Sequence, residues 1–271
     1  MRIYGIDFTS APKRDKPIVV AVTEQSGSTL DLQEFLEFHD WPAYERWLST
    51  PGKWVAGFDF PFGLPEAFVT RHKLGTEWVE LVERCAGKGK EWFRETAMQA
   101  FMSARKVSDK KRRTDETARS HSPLKTKVNP PVGLMYYEGA WRLRGAEAWL
   151  PGLKDGPPDR VGLEAYPGLL VSRLGERFYK NDKPTGSNQL REARQRIMEK
   201  LVDPDRELMN WIPCPVRLVG RGLDEQLLHP SGDWLDALLC AVQASWGYHR
   251  RDENFGLPRA FPRVEGWIVS A

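Results

Sequence analysis

Three apolar runs in this chain each end in a single acidic residue where the chain turns, and that pattern limits the folds open to it. The first is MRIYGIDFTSAP, Met1 to Pro12. Its strand formers Ile3, Tyr4 and Ile6 lead to Asp7 and then to Thr9, Ser10 and Pro12. The second is WVAGFDFPFGLP, Trp54 to Pro65, with Asp59 ahead of Pro61 and Gly63. The third is VGLEAYPG, Val161 to Gly168, with Glu164 ahead of Pro167. Strands this apolar need cover on both faces, so they belong inside a sheet flanked by helices. Chemistry in such folds collects beyond the ends of central strands. The three acids are therefore expected to converge.

The rest of the chain fits one α/β domain over residues 1–271. Ile18 to Thr23 and Thr29 to Phe38 read as a second and third strand about a turn at Gly27, forming an antiparallel meander with the first. Pro42 to Leu48 reads as a short helix, because Pro42 suits a first turn and Tyr44, Trp47 and Leu48 form one stripe. The Asp59 strand then needs a parallel neighbour. Glu77 to Ser103 is helical with an interruption at Gly87–Gly89. It opens an inserted helical and basic segment at about 70–150. Within that insert, Met135 to Leu143 reads as a strand pair around Glu138-Gly139. Further helices are expected from about Gly168 to Leu174, Asn188 to Val202 and Asp233 to Trp246, with a short strand at Val216 to Val219. This order resembles the ribonuclease H-like architecture, a mixed five-stranded sheet flanked by helices whose first three strands are antiparallel.

Composition narrows the chemistry. The longest apolar runs fall short of the ~20 residues a membrane helix needs. No secretory signal is visible, since Met1 leads straight into the Asp7 strand. Cys85, Cys214 and Cys240 form no disulfide framework, which points to a reducing cytoplasm. The five histidines have no ligand spacing, so a metal would be held by oxygen, as magnesium or manganese is. The net charge is only +3, yet nine Lys or Arg and three acids fall between Arg105 and Lys127. A basic block of this kind suits nucleic acid. Within it Arg112, Arg113, Arg119, Lys125 and Lys127 are the candidate phosphate contacts, or else a solvated loop. Tyr136, Tyr137 and Trp141 are candidates to stack bases.

A fourth acid lies in the last helix. Asp236 sits in WLDALLCAV among leucines, and a buried carboxylate needs a cation or a hydrogen-bond network. Asp233 is either a further ligand or only a first-turn acid. Like charges gathered from Asp7, Asp59, Glu164 and Asp236 would repel, and divalent cations are the usual reason such a cluster is tolerated. Two ions about 4 Å apart would serve phosphodiester cleavage, with Asp7 bridging from the centre of the sheet. Thr9 and Ser10 would face the substrate.

GIDFTSAP, GFDFPFGLP, LEAYPG and DWLDALLCAVQA, with RRTDETARSHSPL in the basic segment, resemble the ordered blocks of the domain of unknown function 429 family. The resemblance implies the ribonuclease H-like fold, an acidic site of Asp7, Asp59, Glu164 and Asp236, and a predicted nuclease activity. Two other readings remain open. One is an ATP-dependent phosphotransferase or ATPase of the actin-like and sugar-kinase branch, although Phe8 stands where their phosphate loop usually has glycine. The other is a nucleic-acid-binding protein without turnover.

Overall fold

A computed structural model describes residues 1–180 and 188–271. In chain order the elements are β1 (Arg2–Asp7), β2 (Ile18–Ser26), β3 (Thr29–Phe38), α1 (Trp41–Leu48), β4 (Trp54–Phe58), α2 (Glu66–Arg71), α3 (Trp78–Lys88), α4 (Lys90–Ser103), α5 (Arg113–Thr117), α6 (Val132–Gly145), β5 (Arg160–Glu164), α7 (Pro167–Arg173), α8 (Asn188–Val202), β6 (Val216–Leu218), α9 (Leu223–Leu227) and α10 (Asp233–His249). The six strands form one sheet in the order β5-β4-β1-β2-β3-β6. β2 runs antiparallel to both its neighbours, while β4 and β5 follow β1 in parallel and β6 follows β3. The sheet is thus mixed, mostly parallel and six-stranded rather than five-stranded. The added strand is the short apolar segment at Val216, which borrows the free edge of β3 through Leu30, Asp31 and Leu32.

Each face of the sheet has its own core. One side holds Ile3, Val19, Ala21, Val55, Val161 and Leu163 against α10, α7, α8 and α9. The other holds Ile6, Val20, Ala56 and Phe58 against α1, α3, α4 and α6. Strand residues alternate between these faces with a period of two. α10 is buried from Leu235 to Gly247 because it lies directly on β1 and β4. Its approach requires glycine in both strands. A Cβ at Gly5 would sit 1.9 Å from the Ala237 carbonyl oxygen and 2.2 Å from the Ala241 nitrogen, and one at Gly57 would sit 2.3 Å from the Cys240 oxygen. Gly5→Ala is accordingly expected to cost about 1–3 kcal/mol through overpacking. Thermal or urea unfolding reads this, and an unchanged midpoint would contradict such close packing.

The insert differs from its sequence reading in one element. Met135 to Leu143 is not a strand pair but the middle of α6. The apolar residues there follow helical spacing: Tyr136, Gly139, Ala140 and Leu143 are the buried ones. Glu138-Gly139 reads as a turn only locally. Gly139 is where α6 crosses Phe60, whose ring would lie 2.5 Å from a Cβ at that position. Tyr136 is therefore inside, packed on Phe93, while Trp141 is 46% exposed. α3 and α4 do break apart at Gly89, as the glycines suggest. Cys85, Cys214 and Cys240 are all free and buried. Among the described residues, no helix is long and apolar enough to cross a membrane.

Candidate metal centre

Parallel pairing brings the ends of β1 and β4 side by side. Ile6 is opposite Phe58, and the Asp59 amide donates to the Ile6 carbonyl at 2.9 Å. Asp7 and Asp59 therefore follow matching positions and point to the same face, that of Gly5, Gly57 and α10. α10 starts there, after Gly232 in the left-handed region (φ 80°), and Asp236 lies in its first turn. Carboxylate oxygens of Asp7, Asp59 and Asp236 all lie within 4.8 Å of one another. Asp236 is fully buried, and the other two are half-buried.

These three groups differ in what satisfies them. Asp236 Oδ1 accepts from the Tyr179 hydroxyl at 2.5 Å, and Oδ2 accepts from the Lys180 ammonium. Asp7 and Asp59 have no side-chain hydrogen bond or ion pair among the described residues. Burial, and then the charges of Asp236 and Asp233, hold the Asp7 carboxyl well above the usual carboxylate range. Burial and then Asp236 push Asp59 up to about 7. Lys180 opposes both shifts. At an effective dielectric of about 20, two ionised carboxylates this close repel by about 3–4 kcal/mol. One ammonium does not cancel three such charges. An all-oxygen donor set with surplus negative charge suits magnesium or manganese, and the residues present fit that group. Asp233 is a neighbour rather than a member of the triad. Burial and Asp236 raise its pKa, while Lys16 and Ser231 lower it.

Glu164 does not join this cluster. β5 pairs one residue out of step, so that Phe58, not Asp59, is opposite Glu164. A one-residue shift reverses the face. Glu164 accordingly sits on the Phe58 side, where the amide of Phe62 donates to Oε2 at 2.9 Å. Arg112 holds both its oxygens, Nη2 to Oε1 at 2.7 Å and Nη1 to Oε2 at 2.8 Å. Arg112 cannot then be a phosphate contact. It is 1% exposed, and its remaining donors go to Asp115, at 2.7 and 3.0 Å, and to the Glu265 carbonyl at 2.8 Å. All five guanidinium N–H groups are used.

The other basic candidates are at the surface or near it. Lys127 pairs with Glu95 at 2.5 Å. Arg113 is exposed, 3.9 Å from Glu66. Arg119 is exposed, with φ 54° and no ion pair among the described residues. Lys125 is half-buried, and burial lowers its pKa. α5 is fixed beside Glu164 from two sides. Arg112 anchors its start to Glu164, and the Thr114 hydroxyl accepts the Ile268 amide at 2.9 Å. Thr9 is buried and Ser10 half-buried, and neither side chain has a hydrogen bond among the described residues. Phe8 is packed on Phe60, Trp41 and Tyr44, with its centroid 4.6 Å from that of Phe60.

Tyr179 and Lys180 are the site residues that sequence reasoning missed. Lys180 is one of 40 Lys and Arg, in a loop without a recognisable pattern. The only clue was negative: a buried Asp236 demands a partner, and nothing along α10 supplies one.

A family model described as protein of unknown function (DUF429) matches residues 5–253. No curated protein and no solved structure matches the chain.

Proposed function

The chain belongs to the DUF429 family, and we propose that it is a metal-dependent nuclease of ribonuclease H-like architecture. The observation that carries the reading is the triad itself: three carboxylate oxygens within 4.8 Å, on two adjacent strand ends and a helix start, two of them without a partner. The strand order β3-β2-β1-β4-β5, with its antiparallel meander and two parallel additions, supports the fold assignment, and β6 would be an extension of it.

Asp7, Asp59 and Asp236 would hold the ion, magnesium or manganese. When bound, it would supply Lewis acidity toward a phosphodiester oxygen and make water acidic enough to attack near neutrality. The chain's own part is to bind and orient. Tyr179 and Lys180 fix the Asp236 carboxylate. The hydroxyls of Thr9 and Ser10, two and three positions after Asp7, have no partner among the described residues, and the less buried Ser10 would be the readier donor to a phosphate oxygen. Arg113 and Arg119, carried on and just after α5, offer cations for the flanking backbone. Glu164 and Arg112 are excluded from the ligand and substrate sets and form the support beneath them. The pinned Phe8 speaks against a flexible phosphate loop after β1, so the ATPase reading gains nothing. Three free thiols suit a reducing cytoplasm.

The direct test incubates the protein with magnesium or manganese and single- and double-stranded DNA and RNA. Cleavage that a chelator abolishes is the expected result. Absence of cleavage on every substrate, with ion binding retained, would leave a binding protein instead.

The raised carboxyl of Asp59 adds a pH signature. In the unfolded chain this group ionises near 3.8, and in the ion-free fold near 7. The fold therefore holds an extra proton between those values, and its stability falls as pH rises through that window. A divalent ion binds the ionised form, so its stabilising effect grows over the same window. Melting curves with and without manganese at pH 6 and pH 8 should show the larger ion-dependent shift at pH 8. Equal shifts would remove Asp59 from the ligand set.

A further inference from the structure

We propose that the site holds one divalent ion and that Lys180 takes the place of a second, its ammonium pairing with Asp236 on one side and with a substrate phosphate on the other. The proposal rests on the metal-centre reading above. Three observations lead to it.

The first is ligand supply. Of the two further candidate carboxylates, Glu164 is locked on the opposite face by Arg112, and Asp233 stands outside the group whose oxygens lie within 4.8 Å of one another, so the described residues offer three carboxylates, one of them already held by Lys180. The second is charge. Within the triad, three ionised carboxylates are matched by one divalent ion together with one ammonium, whereas a second divalent ion beside Lys180 would leave two positive charges in excess, only one of which the neighbouring Asp233 could offset. The third is position. Lys180 meets Asp236 Oδ2, yet its side chain is 43% exposed while that of Asp236 is fully buried. It therefore reaches the cluster from the solvent side, the side from which a polyanion must arrive. Its charge also acts on Asp7, Asp59 and Asp233. An ammonium has three donors, and one contact to Asp236 leaves two for phosphate oxygens.

The experiment has two readouts, neither of them turnover. Manganese titration followed by electron paramagnetic resonance counts ions per chain in the wild type. Fluorescence anisotropy then measures a short phosphorothioate oligonucleotide, in the presence of manganese, against wild type, Lys180→Met and Lys180→Arg. One ion per wild-type chain is expected, with oligonucleotide affinity at least about tenfold lower in Lys180→Met and within about threefold of wild type in Lys180→Arg. Lys16→Met, which removes an exposed lysine whose charge acts on Asp233, is the control for general charge loss and should change affinity less. Two ions per wild-type chain would overturn the proposal and leave the metal centre standing. So would one ion with unaltered binding in Lys180→Met. No ion bound at any concentration would overturn the metal-centre reading, and the proposal with it. Should Lys180→Met fail to fold, the wild-type ion count decides.

Discussion

Arg112→Met is expected to destabilise the fold by about 3–5 kcal/mol, the usual cost of leaving buried charges without their partner. Two carboxylates depend on this one guanidinium. Asp115 is fully buried and Glu164 nearly so, and both meet Arg112 in bidentate contact. Their charges hold the Arg112 guanidinium above its usual pKa despite the cost of burying it. Methionine fills the volume but supplies none of the five donors. Lysine should fail almost as badly, because a point charge cannot fork between two carboxylates and a carbonyl. Glu164→Gln keeps the shape and the contact with Phe62, so its cost should be nearer 1–2 kcal/mol, about that of weakening one charged hydrogen bond. In the Arg112→Met background the same Glu164→Gln change should restore part of the loss, because it removes one stranded charge. Denaturant unfolding of the four proteins measures this cycle. Arg112→Met within about 1 kcal/mol of wild type would mean that this network does not hold β5 to the insert.

That network also explains how far the site was legible in the sequence. Gly5-Ile6-Asp7, Gly57-Phe58-Asp59 and Gly162-Leu163-Glu164 are the same local pattern: glycine, a large apolar residue, then an acid. Nothing in the chain distinguishes the third from the first two. The difference is register, since Gly5 pairs with Gly57 while Gly57 pairs with Leu163. One residue of offset sends Glu164 to the other side of the sheet, and register is a property of two strands together. Arg112 was hidden for a related reason. Among its basic neighbours Lys110, Lys111 and Arg113 it looks like any solvated cation, and only the tertiary pairing with Glu164, 52 positions away, selects it. Asp7, Asp59 and Asp236 were readable because each is a lone acid in an apolar setting, where burial can be inferred before any contact is known. The meander and the parallel β4 were readable for the same reason, being set by local alternation and by connection length. α6 was misread because Glu138-Gly139 mimics a turn, and the reason for that glycine, the ring of Phe60, lies 79 residues earlier in the chain.

Asp7→Asn should separate function from stability in opposite directions. The Asp7 carboxyl is held well above its usual pKa by burial and by its neighbours, so ionising it costs the fold free energy. Asparagine keeps the shape and removes that charge. With a chelator present at pH 8, the variant should therefore melt at a higher temperature than wild type. The gain should shrink as pH falls, because protonation removes the wild-type charge. With manganese present the order should reverse. The wild type gains stability from the ion and the variant gains little, because one of three ligands has become a neutral amide. Cleavage should fall by about 100-fold or more, since losing a direct ligand exceeds the penalty seen for outer partners. A residue serving only to brace the fold would lower stability when replaced and would be indifferent to manganese. Should Asp7→Asn lower the melting temperature under chelator at pH 8, the triad is a structural ion cluster rather than a strained site maintained for chemistry.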